Sequence, residues 1–137
     1  LASPGNLKSH FRVETPKGGT DCCFWTNESK DGGRTWSEPQ PTGILSGACP
    51  RFLPLSDGRL LLTFGRRFEP FGIRAMISED GGATWGDTAW LLREPRNWNQ
   101  GYTSSVELGG GRMFTVTYAE NAQGVTGIVG TYWRLPE

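Results

Sequence analysis

Charge of one sign, cysteine and long apolar runs are all scarce in this 137-residue sequence. Lys plus Arg number 14 and Asp plus Glu number 14, so the net charge is zero. That excludes the basic footprint of a general nucleic-acid binder and the charge excess of a disordered tail. The longest aliphatic run is Leu60-Leu61-Leu62, far short of the ~20 residues that cross a bilayer, so no membrane partner is expected. The opening residues show no charged-then-apolar leader, and the compartment stays open. The three cysteines are an odd count, and Cys22 and Cys23 are adjacent. Neighbours on a strand point to opposite faces, which argues against a disulfide framework. What the chain does have is glycine (20) and proline (9), together about a fifth of it. That breaker content favours many short strands joined by turns over long helices. Seven Phe, six Trp and three Tyr supply a core. The length fits one domain at most, against roughly 100–200 residues per domain.

An internal repeat organises the chain. Ser29-Lys30-Asp31-Gly32-Gly33-Arg34-Thr35-Trp36 returns 49 residues later as Ser78-Glu79-Asp80-Gly81-Gly82-Ala83-Thr84-Trp85. A weaker repeat relates Leu55-Ser56-Asp57-Gly58-Arg59 to Leu108-Gly109-Gly110-Gly111-Arg112. A period near 50 suits a four-stranded unit the size of a propeller blade. The sequence predicts about ten strands: 11–15, 21–27, 40–44, 51–55, 60–64, 73–78, 88–92, 103–108, 113–118 and 127–134. No helix is predicted. The expected architecture is all-β: a single partial propeller over 1–137, with an incomplete blade at about 1–45, a full blade at about 46–95 and an incomplete blade at about 96–137.

The eight-residue segment reads as a turn. Asp31 and Asp80 can accept backbone N–H bonds within their own loop. The Gly pairs, Gly33 and Gly82 among them, permit the positive φ of a tight hairpin. Trp36 and Trp85 can return to pack on a neighbouring sheet. A calcium loop needs more acidic ligands than this spacing supplies, so no metal or other cofactor is expected.

These two segments resemble Asp-boxes, the bacterial neuraminidase repeat of the sialidase superfamily. The run from Pro50 to Trp85 and the segment Gly101-Tyr102-Thr103-Ser104-Ser105-Val106 are similar to the later blades of bacterial sialidase-like propellers. The resemblance extends from about Phe11 to Pro136 and implies a six-bladed β-propeller of which this chain is the C-terminal half. It also implies that the boxes, with Ser29, Asp31, Gly33, Trp36, Ser78, Asp80, Gly82 and Trp85, are structural and lie away from the active face.

Strand order alone gathers a candidate site. In an up-and-down blade the first and third turns share one end, here the Asp-Gly-Arg turns and the eight-residue turns. The opposite end collects Arg51, the loop 66–72 with Arg66, Arg74, the loop 94–101, Tyr102 and Glu120. Several Arg, a Tyr and a Glu at one end suit a carboxylated ligand. The bland alternative is a solvated rim, with the Tyr102 ring in the core.

The resemblance adds roles. Retaining sialidases bind the sugar carboxylate with three Arg and use a Tyr nucleophile. Tyr102 resembles that nucleophile, Arg74 in Gly72-Ile73-Arg74-Ala75 the third Arg, and Arg12 in Phe11-Arg12-Val13-Glu14 the second. Glu120 in Tyr118-Ala119-Glu120 resembles the acid that braces the first Arg. The first Arg and the catalytic Asp belong to early blades that this chain lacks. No residue matches the Glu that activates the Tyr, and Gln100 stands where relatives carry an acid.

A six-bladed ring at about 50 residues per blade needs roughly 300 residues. The chain is therefore expected to be a fragment or half-propeller of a glycoside hydrolase that acts on or binds acidic sugars, inactive alone. The alternative is a non-catalytic glycan-binding or scaffold propeller. Association into a homo-oligomer, most simply a dimer completing the ring, is the expected partnership.

Overall fold

A computed structural model describes residues 5–13, 23–45, 48–86 and 89–136. Among these the chain is all-β, without a helix. Ten strands follow in order: β1 Leu7–Arg12, β2 Cys23–Ser29, β3 Gln40–Leu45, β4 Arg51–Pro54, β5 Leu60–Arg66, β6 Gly72–Ser78, β7 Trp90–Arg93, β8 Gln100–Gly109, β9 Arg112–Glu120 and β10 Thr126–Arg134. They make three antiparallel sheets: β1-β2-β3, β4-β5-β6-β7 and β8-β9-β10. The expected strand starts at Asp21 and Thr88, and the end at Thr15, lie outside the described residues.

The second sheet lies between the other two, as its alternation requires. On one side of β5 and β6, Leu62, Phe64 and Met76 pack with Phe24 and Ile44 of the first sheet. On the other, Leu61, Ala75 and Ile77 pack with Met113 of the third. A strand covered on both faces needs apolar residues at successive positions, and Leu60-Leu61-Leu62 supplies them. Each fully buried Leu or Phe contributes about 1.5–3 kcal/mol. Hydroxyl groups also bind the second sheet to the third: Thr63 Oγ1 donates to Thr103 Oγ1 at 2.9 Å and lies 3.3 Å from Ser105 Oγ, which joins Thr115 within the third sheet at 2.8 Å. The Trp133 indole donates to Thr115 at 2.9 Å, so this buried polar stripe is satisfied where desolvation is costly.

Cross-sheet contacts show which turns share an end. Ser56, in the β4–β5 turn, bonds Glu107, near the β8–β9 turn, through both its N–H and its hydroxyl at 2.8 Å. Lys8, near the start of β1, donates to the Gly82 carbonyl in the β6–β7 turn at 3.0 Å. At the other end, Arg67 donates to the Gln100 carbonyl at 2.8 Å.

Candidate functional site

The two eight-residue turns have one hydrogen-bond pattern. Ser78 Oγ donates to Asp80 Oδ1 at 2.7 Å and accepts from the Gly82 N–H at 2.7 Å. Asp80 then accepts from the N–H groups of Ala83 and Thr84 and from the Thr84 hydroxyl. Ser29 and Asp31 repeat this with Gly33, Arg34 and Thr35. Gly32, Gly33, Gly81 and Gly82 all have φ between 71° and 91°, a region that suits glycine. These bonds stabilise the carboxylates. Thr35, then Ser29, hold Asp31 down to about 2, and Thr84, then Ser78, lower Asp80 further. With their acceptors engaged in their own loops, both acids act in folding the turn.

The two Trp differ. Trp85 stacks on Phe52 at 5.8 Å and joins the core shared with the first sheet. Trp36 is 43% exposed and turns its indole N–H to Gly33 O at 3.1 Å. Trp85 has the first sheet to pack against; the corresponding side of Trp36 is open among the described residues.

The second sheet separates the arginines of the other end. Arg66 and Arg74 follow Leu62, Phe64 and Met76 in parity, and line a cleft of about 720 Å³ between the first and second sheets. Its wall also holds Lys8, His10, Thr42 and Trp85, and among the described residues contains no Asp or Glu. Arg66 donates to the Glu69 carbonyl at 3.0 Å, and Arg74 to those of Ala89 and Pro70 at 3.4 and 3.5 Å. The Nε of each is buried without a partner, as is the Trp85 indole nitrogen. Burial, then the like charge of Arg66, lowers the Arg74 pKa. Burial likewise lowers that of His10, with help from Lys8, so the charge of the cleft rests on Lys8, Arg66 and Arg74. Lys8 is already paired with Glu28 at 2.9 Å.

On the other side stand Arg67, Tyr102 and Tyr118. The Arg67 guanidinium donates to the Tyr118 hydroxyl and lies 5.3 Å from the centre of the Tyr102 ring. Tyr102 and Tyr118 have ring centres 5.5 Å apart. Tyr102 is 54% exposed, so its ring is not in the core. It has φ 50°, the one non-glycine residue described with positive φ. The bulge between Gly101 and Ser104 produces this conformation.

The remaining candidates are dispersed. Glu120 ends β9, and its Oε1 accepts from Asn97 at 2.9 Å. It lines a second cavity of about 550 Å³ with Arg93, Arg96 and Asn121. Arg51 is exposed opposite Thr63. Arg12 is half-buried opposite Phe24. Sequence reasoning did not single out Arg67 and Tyr118. The signal was strand parity: with Arg66 facing the first sheet, Arg67 turns to the third. The described residues contain no cluster of three His, Cys, Asp or Glu suited to a metal, and no helix long and apolar enough to cross a membrane.

No protein-family model and no curated protein matches the chain. Among solved structures it is similar to a protein of unknown function from Dyadobacter fermentans DSM 18053, with 27% identity and a TM-score of 0.73. The match covers 98% of this chain and 40% of that one, so this chain spans less than half the length of that protein.

Proposed function

We propose that the chain is part of a sialidase-like six-bladed propeller that binds carboxylated sugars and does not hydrolyse them by itself. The observation that carries this reading is the pair of arginines in one cleft. The hydrogen-bond acceptors described for Arg66 and Arg74 are neutral carbonyls, Arg66 also lies 4.8 Å from the centre of the Phe68 ring, and each leaves a buried Nε unbonded. An unmatched buried donor is costly, and two like charges side by side add to that cost. A carboxylate entering the cleft relieves both, because guanidinium–carboxylate bonds are charge-assisted and directional. Tyr102 supports a functional end in the same region: strained backbone at an exposed aromatic is a feature of binding and catalytic sites.

The non-catalytic form is favoured because the described contacts of Tyr102 are an aromatic ring and a cation. Neither is a base that removes a phenolic proton. The test is calorimetric titration with N-acetylneuraminic acid, with its methyl ester as the uncharged control. Weak binding of the acid alone, lost in Arg74→Ala, is the expected result. Equal binding of acid and ester overturns the carboxylate reading. Turnover of a fluorogenic sialoside, abolished in Tyr102→Phe, overturns the inactivity.

A further inference from the structure

The repeated turn contains its own control. In both copies the indole stands over the second glycine: an added Cβ on Gly33 would lie 3.9 Å from the Trp36 ring, and one on Gly82 3.5 Å from the Trp85 ring. In the first copy the Trp36 N–H donates to the Gly33 carbonyl at 3.1 Å. In the second, the Gly82 carbonyl accepts from Lys8 Nζ at 3.0 Å, a charged and stronger donor. Trp85 Nε1 is left buried with no partner. Its ring is held in place by stacking on Phe52 at 5.8 Å and by an edge contact with His10 at 6.1 Å.

Trp85 lines the same cleft as Arg66 and Arg74. The threonine hydroxyls of that wall spend their protons within the protein: Thr26 on the Ser9 carbonyl, Thr42 on that of Phe24 and Thr84 on the Asp80 carboxylate. Three buried donors of the wall remain unspent, Nε of Arg66, Nε of Arg74 and Nε1 of Trp85. A buried donor without an acceptor costs stability, and an oxygen of an entering ligand recovers that cost. We propose that the Trp85 indole N–H is a second contact for the bound acid, donating to an oxygen of its sugar body while Arg66 and Arg74 hold the carboxylate. Trp85 then serves specificity as well as folding: a site whose buried donor goes unpaired rejects a ligand that lacks the matching acceptor.

Spacing sets what the ligand must be. Trp85 and Ala89 pack on the cluster that contains Met76, and Met76 follows Arg74 by one alternation of β6, about 7 Å at standard rise. Arg74 reaches towards the same region, with Nη1 donating to the Ala89 carbonyl at 3.4 Å. The ligand therefore carries a carboxylate and, roughly one such repeat away, a hydroxyl or carbonyl oxygen. The small body of acetate cannot reach both donors; an acid built on a sugar ring with its side chain can. The cleft, at about 720 Å³, has the capacity of a small-molecule site, for which roughly 300–1,000 Å³ is usual.

The inference rests on the carboxylate reading of the cleft and adds one contact to it. A proton–nitrogen correlation spectrum of isotope-labelled protein gives one indole N–H signal for each of the six Trp, each assigned through its bonds to the backbone. Saturating N-acetylneuraminic acid should move the Trp85 signal and leave that of Trp36 in place. Acetate, which fills the arginines alone, should leave both in place. In calorimetric titration Trp85→Phe should weaken binding of the sugar acid about three- to tenfold, the worth of one neutral hydrogen bond, and Trp36→Phe should not change it. Binding of the sugar acid with an unmoved Trp85 signal, an equal movement with acetate, or full affinity in Trp85→Phe each overturns the second contact and leaves the carboxylate reading standing. Absence of binding to the unsubstituted protein overturns both. The signal is followed in the unsubstituted protein, so the outcome does not depend on the stability of Trp85→Phe.

Discussion

Replacing Ser78 by Ala tests whether the repeated turn is a folding device. The hydroxyl is 1% exposed and central to the loop: it donates to Asp80 Oδ1 and accepts from the Gly82 N–H, both at 2.7 Å. Gly82 is itself buried, with Leu60 and Trp85 against it. Removing Oγ leaves the Gly82 N–H without an acceptor where water has little access. A buried donor stranded in this way costs about 1–3 kcal/mol, and we take about 2. At a chain length between the ranges tabulated for small and larger domains, that lowers the melting temperature by roughly 6–10 °C. Ser29→Ala is the internal control. Its hydroxyl makes the same bonds, yet Gly33 is only half-buried and Trp36 beyond it is exposed. Water can replace that acceptor, so the cost falls to about 1 kcal/mol. Paired thermal melts by circular dichroism measure both. A Ser78→Ala protein that melts within about 2 °C of wild type, or equal losses in the two variants, refutes the reasoning.

The two turn carboxylates also make the fold acid-sensitive. Their folded pKa values lie below the ordinary carboxylate range, so their stabilisation is complete above about pH 4 and is lost as pH falls towards 2. Asp80→Asn should flatten the dependence of melting temperature on pH in that window; an unchanged slope counts against it. Tyr102→Gly should raise the melting temperature, since a side chain in the left-handed region costs about 1–2 kcal/mol, more than its half-exposed ring returns. A lower melting temperature would show that the contacts with Arg67 and Tyr118 outweigh the strain.

Most strands were legible because the turns are punctuated. Asp57-Gly58 and Gly109-Gly110-Gly111 mark hairpins, and the apolar run Leu60-Leu61-Leu62 requires cover on both faces. The miss at β8 is instructive. It begins at Gln100 and not at Thr103, because a bulge at Gly101 and Tyr102 interrupts the alternation on which sequence reasoning depends. The candidate site was legible as an end of the fold and not as a constellation. Strand order places Arg66, Arg74, Tyr102 and Glu120 at one end. It does not divide them between two sides of the second sheet, which is decided by one residue of parity between Arg66 and Arg67. Glu120 shows the same limit: its partner Asn97 comes from a loop whose path no periodicity foretells.

Gln100 joins the two sides, and its replacement by Glu tests what that junction tolerates. The residue is fully buried. Its Nε2 donates to the Arg66 carbonyl at 2.7 Å, its own carbonyl accepts from Arg67, and its Oε1 has no partner. A carboxylate here exchanges that donor for an oxygen facing the Arg66 carbonyl, and buries a charge that the geometry does not pair. Both effects oppose folding, and together they exceed the ~1 kcal/mol of the lost bond alone. The penalty has a definite pH signature. Burial raises the folded pKa of the introduced acid above its unfolded value, and once protonated the acid can again donate to the Arg66 carbonyl. Relative to wild type, Gln100→Glu should therefore be most damaging at neutral pH and recover as pH falls through that raised pKa, the opposite direction to the turn carboxylates. Melts across pH 4 to 8 measure the difference. A variant as stable as wild type at neutral pH would mean that Arg66 or Arg67 swings to meet the new carboxylate. An Arg66 that swings in this way would be mobile enough to close on any anion that enters, and the fixed cleft derived from the buried Nε atoms of Arg66 and Arg74 would have to be abandoned.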